Sequence, residues 1–180
     1  MGIGLDFNFA ELQRALTQQL TDLQRQVVPR ATRIALERVA ITLRKEVAIE
    51  LRKELNISAA RAKDAVDIRA RDASLVMSVD PKPIGLRDFD AKAGPTGVSY
   101  KFGPKTGRKV WRTKYGGSFI VAKIGGHAFV RSSKKRLGIT KLTGPSAASA
   151  FRRDAVQARV NAIAQERFAV EFQRALQGIG

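Results

Sequence analysis

Residues 30–55, RATRIALERVAITLRKEVAIELRKEL, decide the fold, because their apolar side chains recur every three or four positions. That spacing matches the turn of an α-helix and places the apolar residues along one side of it. The main row consists of Leu36, Ala40, Leu43, Val47, Leu51 and Leu55, and Ile34, Ile41 and Ala48 widen it. Basic and acidic residues fill the other positions, as expected of a face exposed to solvent. The stretch therefore predicts a long helix packed on a core.

Pro29 precedes this stretch and predicts where the helix begins. Proline has no N–H group and clashes with the preceding turn, so it suits the first turn of a helix better than the interior. We therefore expect a separate, earlier helix to end before it. The apolar row of that earlier helix is Leu12, Leu16, Leu20, Leu23 and Val27.

The C-terminal part repeats the helical pattern. Its apolar residues follow one another at steps of four: Val156, Val160, Ala164, Phe168, Phe172 and Leu176. This spacing predicts a helix over residues 150–176. Ser58 is suited to cap a short helix at residues 59–65, and Ser146 or Ser149 is suited to cap the last one. A serine hydroxyl there accepts a hydrogen bond from a free N–H of the first turn.

Between the helical parts, Gly and Pro separate short runs of strand length. The predicted strands are residues 66–69, 74–79, 98–102, 108–113, 118–123, 128–131 and 139–142. Short strands with frequent turns favour a small twisted sheet or barrel. We therefore predict an α+β fold, in which long N-terminal helices and a C-terminal helix flank a small, basic, antiparallel β-sheet or barrel with Gly- and Pro-rich loops. The predicted single domain, 1–180, has a helical part at 1–65, a basic β-rich part at 66–143 and a closing helix at 144–180.

The chain of 180 residues has a net charge of +17, most of it in one segment. Residues 81–143 contain 15 basic and two acidic side chains, a net charge of +13, whereas the flanks are nearly balanced. Such a field attracts nucleic acid or an acidic protein surface. The absence of cysteine excludes disulfides and thiolate chemistry. Without an apolar run long enough for a membrane span or a secretory signal, we expect a soluble protein made in the cytoplasm, with no membrane partner.

Few residues could carry catalysis. His127, the only histidine, follows two glycines, and the acids of its segment are limited to Asp88 and Asp90. We interpret His127 as a turn or packing residue. Three acids share one face of the long helix: Glu46, Glu50 and Glu54. Their basic neighbours are typical of a salt-bridged, solvated surface, so we expect no enzymatic activity, no cofactor and no metal.

Residues 100–115, YKFGPKTGRKVWRTKY, interleave aromatic side chains with six basic ones. On strands, this alternation would place the basic side chains along phosphates while Trp111 or Tyr115 stacks on a base. The same alternation allows the aromatic side chains to point into the core, so the pattern leaves both orientations open. A second basic cluster follows at residues 131–136. The candidate contacts with DNA or a protein partner are Lys101, Lys105, Arg108, Lys109, Arg112, Lys114, Arg131, Lys134, Lys135 and Arg136.

Several motifs occur in a characteristic order. The helical stretch RATRIALERVA at residues 30–40 precedes KPIGLRDF at 82–89, which has a Pro-Ile-x-Leu-x-x-Phe pattern. HAFV at 127–130 and ITKLTGPS at 139–146 follow, and the Leu-x-Gly-Pro-Ser element is the most specific piece. This order resembles the minor tail protein Z family of bacteriophages, which acts in tail completion and head-tail joining, over roughly residues 30–152. The matching residues are Pro83, Ile84, Leu86, Phe89, Leu142, Gly144, Pro145 and Ser146.

The resemblance implies a structural virion protein at the head-proximal end of the tail, made in the host cytoplasm. Such proteins commonly work as rings, so the implied partners are further copies of this chain and other tail and neck proteins. In our hypothesis, the helices pack an intersubunit shell, and the basic part contacts packaged DNA without sequence specificity or an acidic neighbouring ring. The alternative is a stand-alone nucleic-acid-binding protein. A third interpretation is an enzyme that would need His127 or Asp88.

Overall fold

The computed structural model describes residues 3–8, 22–112, 117–133 and 138–179. It combines helices with small antiparallel sheets and confirms the predicted α+β class. The helices are α1 (Asp22–Glu54), α2 (Ala59–Asp64), α3 (Ala147–Phe151) and α4 (Asp154–Gln177). The strands are β1 (Ile3–Asn8), β2 (Val66–Arg71), β3 (Ser74–Val79), β4 (Pro83–Gly85), β5 (Lys92–Gly94), β6 (Gly97–Tyr100), β7 (Lys109–Trp111), β8 (Phe119–Val121), β9 (His127–Arg131), β10 (Ile139–Lys141) and β11 (Thr143–Ser146). Two 3₁₀ turns, Leu86–Phe89 and Ala122–Ile124, complete the described elements.

Helix α1 is longer than predicted, because it begins at Asp22 rather than after Pro29. Pro29 lies on the exposed side of the helix, whereas Val28 and Ala31 beside it are buried. A proline in a helix interior costs about 3 kcal/mol, and burying a side chain of the size of valine contributes roughly 1.5–3 kcal/mol. Packing around Pro29 therefore offsets the missing hydrogen bond, and the predicted break is wrong. Residues 12–20 of the proposed earlier helix lie outside the described residues.

The apolar row of α1 faces the core as predicted. All six residues of the main row are buried, and Ala48 is buried beside them. Ile41 is 65% exposed, so its assignment to the row is wrong. Helix α4 packs along α1 and buries its residues at steps of four from Val156 to Phe172. Among the described residues, no helix is long and apolar enough to cross a membrane.

The closing segment is divided where a single helix was predicted. Residues 143–146 form strand β11, and the Ser146 hydroxyl accepts a hydrogen bond from the Ser149 N–H (3.1 Å) to cap α3. Arg153 has an extended backbone (φ −70°, ψ 126°), which separates α3 from α4. Because α3 and α4 are separate helices, Phe151 of α3 is fully buried while α4 packs along α1.

A strand at Ile3–Asn8 stands where the predicted helical part, 1–65, should begin. It pairs antiparallel with β3, with Ile3 opposite Val79, and gives a sheet of order β1-β3-β2. The sequence Ile-Gly-Leu-Asp-Phe-Asn alternates apolar residues with glycine or polar ones, which is the period of a strand. Strand β2 of this sheet packs on α1.

The basic part forms several small sheets rather than the single sheet or barrel that was predicted. Its described strands form the orders β10-β9-β8, β11-β4 and β5-β6-β7. The predicted strand positions are confirmed to within about two residues. These sheets enclose a second core that consists of Leu86, Val98, Tyr100, Ala128 and Leu142. Phe102 packs against both this core and the first one.

Candidate functional site

The two motif segments that carry the family resemblance lie side by side, although they are far apart in the sequence. Strand β4 pairs with β11, and Pro83 lies opposite Ser146. The Leu86 N–H donates to the Leu142 carbonyl (3.0 Å), and the Leu142 N–H donates to the carbonyl of Ala128 (2.8 Å). The motif residues therefore join the β sheets to the start of α3.

Most of the motif side chains are buried. Ile84 and Phe89 belong to the first core, whereas Leu86 and Leu142 belong to the second. Pro145 is only partly buried and lines a cleft described below. Burial of this kind assigns the motif a structural role in holding the two cores together.

Gly144 lies between two aromatic rings at this junction. The rings of Phe89 and Phe102 meet edge to face, with centroids 5.0 Å apart. A Cβ at Gly144 would lie 2.5 Å from Phe102 Cε1 and 2.6 Å from Phe89 Cε2, closer than real Cβ contacts. The position therefore admits only glycine for lack of space.

Four of the predicted contact residues have free cationic groups within the described part of the chain. Lys105, Lys109 and Arg112 are exposed, and Lys101 is partly exposed. None of the four forms an ion pair with another described residue. Lys109 lies on β7, Arg112 directly follows it, and Lys101 and Lys105 lie in the connection between β6 and β7. These four residues are hereafter the cationic surface of β6 and β7.

Two other predicted contacts are used inside the protein. Arg108 forms an ion pair with the Asp90 carboxylate and donates to the Asp90 carbonyl (2.8 Å), which stabilises a left-handed residue (φ 54°). The Arg131 guanidinium lies over the Phe119 ring, 5.5 Å from its centroid. Their role as contacts with DNA or a protein partner stays a prediction. Four further predicted contacts lie outside the described residues: Lys114, Lys134, Lys135 and Arg136.

Replacing Arg108 tests this structural role. We expect Arg108→Ala to lower the free energy of unfolding by about 1 kcal/mol, since the pair is partly exposed and partly screened by solvent. Lys109→Ala removes the neighbouring charge, which has no partner among the described residues, and should change stability by less than about 0.5 kcal/mol. Urea unfolding of both variants gives the comparison. Equal effects would show that Arg108 does not stabilise the Asp90 turn.

The aromatic residues of the basic stretch point inward. Tyr100 is buried in the second core, and the partly buried Trp111 packs against that core. Their ring centroids are 6.2 Å apart at an interplanar angle of 48°. This geometry favours packing over base stacking for both residues, whereas Tyr115 lies outside the described residues.

An open cleft, hereafter the basic cleft, lies where the end of α1 (residues 49–55) meets the turn at residues 102–106 and the start of α3 and α4. Its volume is about 990 Å³. The turn is held by Thr106, whose hydroxyl accepts from the Gly103 N–H (3.0 Å), and it is joined to α1 by the Asn56 N–H, which donates to the Phe102 carbonyl (2.7 Å). A Cβ at Gly103 would lie 3.0 Å from the Glu54 carbonyl oxygen, so the turn approaches α1 closely.

An ion-pair network forms one wall of the basic cleft. Arg159 donates to Glu50 (2.7 Å) and lies 3.6 Å from Glu54. Lys53 also pairs with Glu50, and Arg153 pairs with Glu54. The predicted salt bridges are confirmed for Glu50 and Glu54, whereas Glu46 forms no ion pair with a described residue. The Glu50 side chain is only 5% exposed, so the prediction of a solvated surface is wrong for this residue.

The network also changes the acidity of Glu50. Burial by itself would raise the pKa of Glu50, but hydrogen bonds and positive charges from Lys53 and Arg159 outweigh it. The pKa therefore lies below the ordinary value of 4.5. Glu50 is consequently ionised at neutral pH, and it pairs with Lys53 of its own helix and links Arg159 of α4 to α1.

His127 lies at the start of β9 among basic groups. Its Nε2 is 3.4 Å from Lys141 Nζ, and its buried Nδ1 has no hydrogen-bond partner among the described residues. Burial and the charges of Lys141 and Arg87 lower the pKa of His127, while Asp88 opposes them. The imidazole is therefore neutral at pH 7. Arg87 donates to the Gly125 carbonyl (2.6 Å), which supports the turn before His127.

The described residues contain no group of three or more acids and histidines that could hold a metal ion. Sequence reasoning located the free cations Lys101, Lys105, Lys109 and Arg112 but missed the basic cleft. No sequence signal indicated that Arg153 and Arg159, near the start of α4, pair with Glu54 of α1. No family model matches this chain, and no curated protein or solved structure matches it.

Proposed function

We propose that this chain is a structural virion protein of a phage tail. It acts in tail completion and head-tail joining at the neck, as an oligomeric ring. The observation that carries the proposal is a set of cations near β6 and β7 that no described acid neutralises. Of the helical acids, Glu50, Glu54 and Glu171 pair with described cations, whereas Lys101, Lys105, Lys109 and Arg112 form no ion pair with a described residue.

A protein that docks by charge needs such a surface on a rigid base. Lys109 lies opposite Tyr100 in the register of β6 and β7, and Tyr100 is buried in the second core. The backbone at Lys109 is therefore held in place by core packing rather than by a loose loop. In a ring, each subunit would repeat this surface around the axis, which strengthens the field without sequence specificity.

The family resemblance supports the same function. Its two motif segments, residues 83–89 and 142–146, form one structural junction, so their joint presence has a physical reason. Packaged DNA and an acidic ring of a tail or neck protein are the partners that the cationic surface fits.

A mixing experiment with isolated phage tails that lack the protein tests the proposal. We expect native mass spectrometry to show a closed oligomer, and cryo-EM to show it at one end of the tail. Lys109→Glu combined with Arg112→Glu should lower the fraction of capped tails about tenfold, because it reverses charge on the docking surface.

The matched control reverses two exposed basic residues outside the strongly charged segment 81–143. Lys63→Glu combined with Arg71→Glu changes the net charge equally and should leave capping unchanged. A persistent monomer that ignores tails would overturn the proposal. If that monomer bound DNA with a steep dependence on salt, the stand-alone nucleic-acid-binding function would replace it.

A further inference from the structure

The basic cleft combines a cationic rim with an apolar floor. Five cationic side chains line it, Arg52, Lys53, Lys105, Arg153 and Arg159, whereas Glu54 is the one acid among its lining residues. Several apolar groups share the cleft: Ile49, Leu55, Phe102, Pro104, Pro145 and Ala150. The combination differs from the cationic surface of β6 and β7, where the aromatic residues are turned inward.

Two of the cations are available for a partner. Lys53 and Arg159 pair with Glu50, and Arg153 pairs with Glu54. Arg52 and Lys105 are exposed and form no ion pair with a described residue. They stand on different walls of the cleft, one at the end of α1 and the other on the turn at residues 102–106. A ligand between them would meet a cation on each side.

The apolar floor includes a residue that solvent reaches. Ile49 is 46% exposed although it lies on a helix whose main apolar row is buried. Pro104 and Pro145 add rigid apolar surface without N–H donors. An apolar side chain placed here would be removed from water, which is favourable at roughly 25 cal/mol for each Å² buried.

We infer that the basic cleft binds an acidic peptide segment of a partner protein, in which carboxylates flank at least one apolar side chain. The carboxylates pair with Arg52 and Lys105, and the apolar side chain packs near Ile49. The inference rests on the proposed function, since the partner is taken to be another tail or neck protein. Its chemistry follows from the charge and lining of the cleft.

A peptide fits these observations better than nucleic acid. A phosphate backbone would use the cations but would leave the apolar floor uncovered. Tyr100 and Trp111 do not line the cleft, and Phe102, which does, is packed against Phe89 and Tyr100, which leaves less ring surface for base stacking. Guanidinium groups pair well with carboxylates, which adds directionality to the charge attraction.

Fluorescence anisotropy with the full chain tests the inference. The probe is a short fluorescein-labelled peptide in which Glu and Leu alternate. The comparison peptides replace every Glu by Gln or every Leu by Ser, and a thymidine oligonucleotide serves as competitor. We expect the Glu-Leu peptide to bind and each comparison peptide to bind about tenfold more weakly or not at all.

Two double variants with the same loss of charge locate the binding. Arg52→Gln with Lys105→Gln should weaken peptide binding about tenfold. Lys63→Gln with Arg71→Gln, exposed and outside both the cleft and the docking surface, should change it less than about twofold. Equal losses in both variants would overturn the inference in favour of attraction by net charge. Binding of the oligonucleotide with no binding of any peptide would overturn it in favour of nucleic acid.

The outcome is distinguishable from that of the proposed function. If the peptide does not bind while the protein still caps tails, the inference fails and the proposed function stands. If the peptide binds as expected but the protein ignores tails, the proposed function fails and the cleft remains a peptide site for another partner.

Discussion

Gly144→Ala is expected to lower the free energy of unfolding by about 3 kcal/mol, at the upper end of the usual cost of overpacking a core. The new methyl group would lie 2.5 Å and 2.6 Å from ring carbons of Phe102 and Phe89. Phe89 is fully buried in a close-packed core, so its ring can move only by displacing its neighbours. For a chain of this size, such a loss lowers the thermal midpoint by roughly 10 °C. Calorimetry or thermal circular dichroism provides the measurement.

Gly107→Ala is the matched control, because a Cβ at Gly107 meets no atom within 4 Å. It should change stability by less than about 0.5 kcal/mol. Phe102→Leu should offset part of the Gly144→Ala cost in the double variant, since it removes one of the two ring contacts. Equal effects of the two alanine variants, or strict additivity with Phe102→Leu, would contradict steric crowding as the cause.

The crowding at Gly144 is an example of what the sequence does and does not predict. The Leu-x-Gly-Pro-Ser motif is visible in the sequence, and Ser146 or Ser149 was expected to cap the last helix. Ser146 does cap a helix, although it is the short α3. The reason for Gly144 is not visible, because it depends on two rings that the chain brings together from residues 89 and 102. Local signals therefore predict caps and turns, whereas close packing between distant segments needs the fold.

The same limit applies to the helices and strands. The spacing of apolar residues predicts the buried rows of α1 and α4, since that pattern is local to each helix. The continuity of α1 through Pro29 was not predicted, because tertiary packing of Val28 and Ala31 overrides the local preference of proline. Strand β1 was missed although Ile3–Asn8 alternates, because its partner β3 lies far along the chain.

The candidate site, too, was predicted only in part. Composition located the excess positive charge in residues 81–143, and the free cations Lys105, Lys109 and Arg112 lie there. Spacing could not reveal that Arg108 pairs with Asp90, because alternation specifies a face and not a partner. The basic cleft combines residues from both helical parts and the basic part, so no single stretch indicates it.

Arg159→Ala is expected to lower the free energy of unfolding by about 2–3 kcal/mol at neutral pH, less than for a fully buried pair because Arg159 itself is partly exposed. The loss arises because the nearly buried Glu50 carboxylate would retain only Lys53 as a cationic partner. Arg174→Ala, on the same helix, breaks the more exposed pair with Glu171 and should cost about 1 kcal/mol or less. Urea unfolding of the two variants measures the difference.

The pH dependence identifies the cause of this loss. Because the pKa of Glu50 in the folded protein lies below 4.5, its ordinary value, the ionised carboxylate contributes stability that is present above pH 4.5 and is lost as the pH falls through the folded pKa. The cost of Arg159→Ala should therefore shrink as the pH is lowered below 4.5. In a Glu50→Gln background, the cost should be small at every pH, because no buried charge is left unpaired. A cost that persists in acid and in the Glu50→Gln background would show that packing of the Arg159 side chain, rather than its charge, stabilises the wall of the basic cleft.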